Sequence, residues 1–201
     1  MKNKIVMPYE YKGNPGRDVL KIKGNKKLFQ ELEKFSSKET LNFLNVPNLL
    51  EKYRKKTYPN EDLTEFIVRY NYGIDYDENG FTSNPVYMNV PYHLFLRKKE
   101  KVVAVLGFEP HASAILIAQI QNARDSAEDL RPLKWSNGLV NISLEWAKQM
   151  KIPEVWLLPR QRNCSHAVKE KLLRTQALYD KTAIKEGFKY DSEMQVFRIQ
   201  L

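Results

Sequence analysis

The run Ala114-Ile115-Leu116-Ile117-Ala118-Gln119-Ile120-Gln121 is almost continuously apolar and rich in β-branched residues. That composition predicts a strand buried on both faces. The next stretch, 122–134, is polar, with Asp125-Ser126-Ala127-Glu128-Asp129 at its centre, and predicts a loop. From Ser136 the period changes. Leu139, Ile142, Trp146 and Met150 fall at helical spacing, with small Ser143 and Ala147 on the same face. Pro153, following Lys151-Ile152, stops that helix because proline cannot continue the hydrogen-bond ladder. Glu154-Val155-Trp156-Leu157-Leu158 then predicts a second buried strand, closed by Pro159. Strand, helix and strand in this order make a βαβ unit, so the two strands should be parallel neighbours.

The rest of the chain is arranged around this unit. Residues 17–23 predict a first strand, and Asn25 caps a helix with Leu28, Leu32 and Phe35 on one face. Ser36 and Glu39 have capping-box spacing for a second helix carrying Leu41 and Leu44. Pro47 interrupts, and Asn48 restarts a helical stretch with Leu49, Leu50 and Tyr53 inward. Leu63 to Tyr70 alternates as a half-exposed strand, with Phe66, Val68 and Tyr70 on one side. Residues 71–91 have no strong period and predict either a binding loop or a hairpin tip at Asn79-Gly80. Tyr92–Leu96 and Val102–Phe108 predict a hairpin across a charged turn at 97–101, and Glu109-Pro110-His111 turns the chain into the central strand. A helix over 168–186 ends on Gly187 as a left-handed cap. Phe188-Lys189-Tyr190 and Gln195 to Leu201 then form a closing hairpin.

The chain has 201 residues, of which 42% are hydrophobic, enough to build a core in one domain spanning 1–201. Within it, 1–91 is a divergent N-terminal part and 92–201 the main body. The lone Cys164 cannot form an internal disulfide, which predicts a reduced, cytoplasmic setting. Charged Met1-Lys2-Asn3-Lys4 is followed by Tyr9-Glu10-Tyr11-Lys12, not by the apolar core of a signal peptide. No apolar run approaches the ~20 residues of a membrane helix, so no membrane partner is expected. The formal charge of +9 has two readings: attraction to a polyanion such as nucleic acid or the ribosome, or a solvated lysine surface.

Three stretches resemble the GNAT superfamily of acetyl-CoA-dependent N-acyltransferases. Residues 144–157, LEWAKQMKIPEVWL, are similar to its cofactor-side helix and following strand. Residues 178–189, LYDKTAIKEGFK, look like its last helix and Gly-Phe step, and the hairpin from Tyr92 to Phe108 resembles its central strands. The resemblance implies an α/β (α+β) fold with a mixed, mostly antiparallel central sheet flanked by helices, here with an N-terminal helical elaboration. It also implies acyl transfer from acetyl-CoA, or another acyl-CoA, to an amine acceptor.

The family's pyrophosphate loop reads Gln/Arg-x-x-Gly-x-Gly/Ala, where backbone N–H groups at a helix N-terminus cradle phosphate. The matching residues are Trp135-Ser136-Asn137-Gly138-Leu139-Val140. Gly138 fits, Trp135 stands where Gln or Arg is expected, and Val140 stands where a small residue is expected. The resemblance therefore assigns cofactor contacts to Trp135, Gly138, Leu139, Val140 and Asn141, and to Ile120 and Gln121 at the end of the central strand. The family's general acid is often a tyrosine four residues before the Gly-Phe glycine. That position is Ala183 here, and Tyr179, one helical turn earlier on the same face, is the candidate acid. Glu109 and His111 are the candidate bases, histidine being the residue type suited to base work near neutral pH. Cys164 and His166, two apart in a loop after a strand, make a weaker nucleophile pair. No metal-ligand spacing stands out among one cysteine and three histidines. Beside the enzyme reading stand a GNAT-fold module that binds RNA, the ribosome or another acidic partner without catalysis, and an interaction protein with no ligand.

Overall fold

The computed structural model describes residues 28, 30, 32, 40–72, 90, 92–111, 113–123, 125–160 and 178–201. The expected strand at 17–23, the caps at Asn25 and Ser36, Phe35, the Asn79-Gly80 turn, Cys164, His166 and the first part of the 168–186 helix lie outside the described residues.

The architecture is α+β, built on one open seven-stranded, mostly antiparallel sheet. In chain order its strands are β1 (Phe66–Tyr72), β2 (Tyr92–Lys98), β3 (Lys101–His111), β4 (Ala114–Asn122), β5 (Glu154–Leu157), β6 (Lys189–Asp191) and β7 (Val196–Gln200). Across the sheet they lie in the order β1-β2-β3-β4-β5-β7-β6. β4 and β5 are parallel, as the βαβ pattern requires, and the other neighbours are antiparallel. Helix α1 covers Val46–Glu51, α2 Ala127–Leu130, α3 Trp135–Gln149 and α4 Asp180–Lys185. No helix among the described residues is long and apolar enough to cross a membrane.

The main core lies between one face of the sheet and helices α1, α3 and α4. Leu139, Ile142 and Trp146 of α3 are buried in it and Met150 packs at its margin, as the helical period predicts. Trp146 sits 6.1 Å from the ring of Tyr70 and 5.0 Å from that of Phe108, centroid to centroid. Tyr70 also ties the N-terminal part to the sheet by donating its hydroxyl to the Leu32 carbonyl at 2.9 Å.

Several elements differ from the sequence expectation. Pro47 does not interrupt a helix but occupies the first turn of α1, where its missing N–H has no partner to lose. Asn45, not Asn48, caps that helix by accepting the Asn48 amide at 3.2 Å. Leu41 and Leu44 are buried, but in turns rather than a helix, and the Leu41 amide donates to the Val68 carbonyl of β1. Residues 109–111 continue β3 instead of turning: Glu109 pairs with Leu116, Pro110 with Ile115 and His111 with Ala114. Among the described residues the pairing of β3 with β2 reaches only to Phe108, and proline is tolerated where no ladder bond calls for its N–H. The 122–134 stretch carries the short helix α2, with Glu128 and Asp129 in its first turn, where acidic residues complement the helix dipole. Gly187 has the expected positive φ, +86°.

Candidate functional site

The site begins with a mismatch in strand length. β4 runs from Ala114 to Asn122, but β5 pairs with it only from Ala114 to Ile117. The Leu158 amide adds one more bond, to the Ile117 carbonyl at 2.9 Å, and then the two strands part company. Pairing between β3 and β4 also skips a residue, since Phe108 faces Ile117 and Gly107 faces Gln119. Ala118 is thus an extra residue in β4, a β-bulge. A bulge reverses the alternation of the main chain, so Ile117 and Ile120 both turn their polar groups towards the β5 side.

Tyr179 fills that side. It stands at the N-terminus of α4, is buried, and its hydroxyl accepts the Ile120 amide at 2.9 Å. The same oxygen lies 3.5 Å from the Ile120 carbonyl. Two residues picked from sequence as candidate acid and cofactor contact therefore meet at one point on the unpaired edge of β4. There the hydroxyl and the amide are bonded to each other; parted by a substrate carbonyl, the one can donate a proton and the other polarise that carbonyl.

The N-terminus of α3 is the second part. Lys134 precedes it without a side-chain cap, and its first turn carries no acidic residue. The Gly138 amide donates to the Lys134 carbonyl at 3.1 Å, and those of Leu139, Val140 and Asn141 are one, two and three steps further into the helical ladder. The amides outside the ladder are those of Trp135, Ser136 and Asn137, one turn earlier than the residues that the motif picks out. Gly138 serves packing: a Cβ there would lie 2.8 Å from Leu50 Cδ2 and 3.6 Å from Tyr53 Cδ2.

The segment around α1 is fastened over this end of α3. The Lys134 amide donates to the Tyr53 carbonyl at 2.9 Å, and the Lys55 amide donates to the Pro132 carbonyl at 2.7 Å. Glu186 joins three elements, accepting from the Tyr53 hydroxyl and from Asn137 Nδ2, the latter at 2.9 Å. Burial first, and then the Glu186 carboxylate, push the Tyr53 phenol far above its ordinary value, so it stays protonated as the donor. Ser136 Oγ lies 3.2 Å from Thr182 Oγ1, linking α3 to α4. Sequence reading placed Leu50 and Tyr53 inward but had no means to see Glu186 as their partner, 133 residues from Tyr53.

Glu109 and His111 form a pair of their own. His111 Nε2 lies 2.8 Å from Glu109 Oε1, and the buried imidazole stacks on Trp156 with centroids 6.3 Å apart. The pair is not brought to Tyr179. Glu109 faces Leu116 while Leu106 faces Ile120, so three residues of strand, about 10 Å, separate the two places. Gln121 turns its side chain to Gln119, accepting its amide at 3.0 Å. Among the described residues no group of three or more His, Cys, Asp or Glu side chains could hold a metal ion.

Set against known proteins, the chain matches no family model and no curated protein.

Proposed function

We propose that this chain is a GNAT-like N-acyltransferase that moves an acyl group from acyl-CoA to an amine. The observation that carries the reading is the 2.9 Å contact between the Tyr179 hydroxyl and the Ile120 amide on the edge of β4 that β5 leaves unpaired. The strand order, with one parallel crossover through α3, supports the same reading. So does the start of α3, whose first-turn amides have no side-chain cap; among the described residues the one carboxylate bonded there is that of Glu186, on Asn137 Nδ2. Acyl-CoA supplies the thioester. On this reading the thioester carbonyl takes the Tyr179 hydroxyl's place on the Ile120 amide. The amine nitrogen then forms the C–N bond as the C–S bond breaks. Tyr179 gives its proton to the leaving sulfur and regains one from the amine, and the backbone amides of Trp135, Ser136 and Asn137 hold the pyrophosphate.

Tyr179→Phe tests the reading. Release of coenzyme A from acetyl-CoA, measured with a panel of primary amines including lysine and spermidine, should fall about 100-fold or more in kcat. KM for acetyl-CoA should change little. The substitution also removes the acceptor for a buried amide, so the protein should lose about 1–3 kcal/mol of stability. Unchanged kcat removes Tyr179 from the chemistry.

A second reading, a non-catalytic module for RNA, the ribosome or another acidic partner, is favoured by one observation. Leu50 and Tyr53 pack over Gly138, and the Tyr179 hydroxyl is engaged by Ile120, so both halves of the site are occupied by the protein itself. The charge of +9 suits such a partner.

A further inference from the structure

Lysines along the sheet and towards the far end of α3 have carboxylate partners. Lys98 pairs with Glu61, Lys99 with Glu65, Lys101 with Asp129 and Lys148 with Glu145. Around the start of α3 the pattern breaks. Among the described residues no carboxylate pairs with Lys52, Lys55, Lys56 or Lys134. The carboxylates nearby are already held: Glu51 by Arg54, Glu128 by Arg131, and Glu186 by Tyr53 and Asn137. Helix α4, joined to the same end of α3 through Thr182 and Ser136, adds the exposed Lys181 and Lys185.

The fold gathers this charge from segments far apart in sequence. Arg54 bridges to Leu133 in antiparallel fashion, between the Lys134–Tyr53 and Lys55–Pro132 backbone bonds. Lys55 Nζ reaches the Arg131 carbonyl at 2.6 Å. The Arg54 guanidinium bonds the carbonyls of Tyr58 and Pro59, so it fastens the ribbon and adds no free charge. Lys52, Lys56 and Lys134 are left exposed on it. Two aromatic rings lie among these cations. The Arg131 guanidinium sits 5.9 Å from the ring centroid of Tyr58, and Lys52 Nζ 5.6 Å from that of Tyr53. A guanidinium backed by an aromatic ring offers its other face to a nucleobase. The exposed large apolar side chains among the described residues are Phe43 and Leu201. Neither belongs to the ribbon, so it has no apolar group to place in a lipid surface.

We propose that the ribbon formed by residues 51–58 and 131–134 is a binding surface for single-stranded nucleic acid. Lys52, Lys55, Lys56 and Lys134 take phosphates, and a base stacks on Arg131. Cations that no carboxylate balances attract a polyanion and release its counterions. The proposal gives the second reading its surface and its partner and rests on that reading for the class of partner; it does not depend on acyl transfer. Lys134 borders the amides assigned to pyrophosphate, so the deciding variants are at Lys52 and Lys56.

Fluorescence anisotropy of the full chain with a labelled oligouridylate of about 12 nucleotides tests it. The dissociation constant should be roughly 1–100 µM at about 0.1 M salt. The logarithm of affinity should fall with that of salt at a slope of about −3, four phosphates at about 0.7 each. Lys52→Gln combined with Lys56→Gln should halve the slope and weaken binding at least about ten-fold at unchanged melting temperature. Lys151→Asn, at the far end of α3 where a φ of 57° suits asparagine, should change little. Arg131→Lys keeps the charge and loses the stacking plane, so affinity should drop several-fold with the slope kept. No binding at low salt overturns the proposal together with the second reading. Binding that the Lys52 and Lys56 pair weakens no more than Lys151→Asn does overturns the proposal alone. Equal affinity of wild type and Arg131→Lys overturns it as well.

Discussion

Replacing Trp146 by alanine lowers the stability of the protein by about 3–5 kcal/mol, the range for truncating a large buried aromatic side chain. Trp146 is fully buried, and its ring meets both Tyr70 of β1 and Phe108 of β3. Its loss leaves a cavity where α3 crosses the sheet, bounded by rings too rigid to collapse into it. The indole Nε1 has no hydrogen-bond partner, so no polar contact is lost with it and the cost is one of packing. For a domain of this size each kcal/mol moves the melting point by ~2–4 °C, which puts the expected drop at roughly 6–20 °C. Trp146→Phe, which keeps an aromatic ring, should cost less than half of that. A chemical denaturation series measures both. An alanine variant within about 1 kcal/mol of wild type would mean that α3 does not pack as described.

Acid should destabilise the protein through His93 before the carboxylates titrate. Burial pushes the His93 imidazole down to about 4 from its ordinary 6.5. Among the described residues no carboxylate on its face offsets this. Asn71 lies opposite, Phe95 beside it, and the charges nearest along the sheet are the cations Arg69 and Arg97. The folded imidazole therefore stays neutral where the unfolded one takes up a proton. Between pH 6.5 and 4 the unfolded state binds more protons, so stability falls as pH falls. Above pH 6.5 both states are neutral and this group makes no difference. Over the whole window the loss is about 3 kcal/mol. His93→Leu should remove that part of the slope, leaving the contribution of the other titrating groups. Stability curves of wild type and His93→Leu that run parallel between pH 6.5 and 4.5 would contradict the prediction.

Much of the fold was legible because its signals are local. The βαβ unit at 114–157 combined a short β-branched run with a clean helical period, and the parallel pairing of β4 and β5 followed from connection length. Gly187 announced a helix end through its own conformational need. What escaped the sequence depends on distant partners. Pro110 reads as a turn until it is seen paired with Ile115 in β3. Leu41 and Leu44 have the spacing of a helix face, but the Leu41 amide finds the Val68 carbonyl, and the competing bond wins. The extra residue at Ala118 leaves no mark in composition, although it is what turns the Ile120 amide towards Tyr179. Side-chain chemistry named Tyr179, Glu109 and His111, of which Tyr179 meets the Ile120 amide while Glu109 and His111 pair with each other about 10 Å away. The candidate site was not legible where backbone position decides: the α3 amides outside the ladder belong to 135–137, and Gly138 answers to the Leu50 side chain.

Acetyl-CoA binding is the direct measure of the central claim, since a ligand that binds only the folded state raises the melting temperature by mass action. At ~100 times its dissociation constant the gain is ~2.7 kcal/mol, or roughly 5–10 °C for a domain of this size. The account predicts that shift with acetyl-CoA. It also predicts that Trp135→Arg enlarges the shift, by placing a guanidinium beside the phosphates. No shift at millimolar acetyl-CoA, in protein that melts cooperatively, would contradict the acyl-transfer reading. Salt-sensitive binding of RNA by the same protein would then assign the fold to the non-catalytic module.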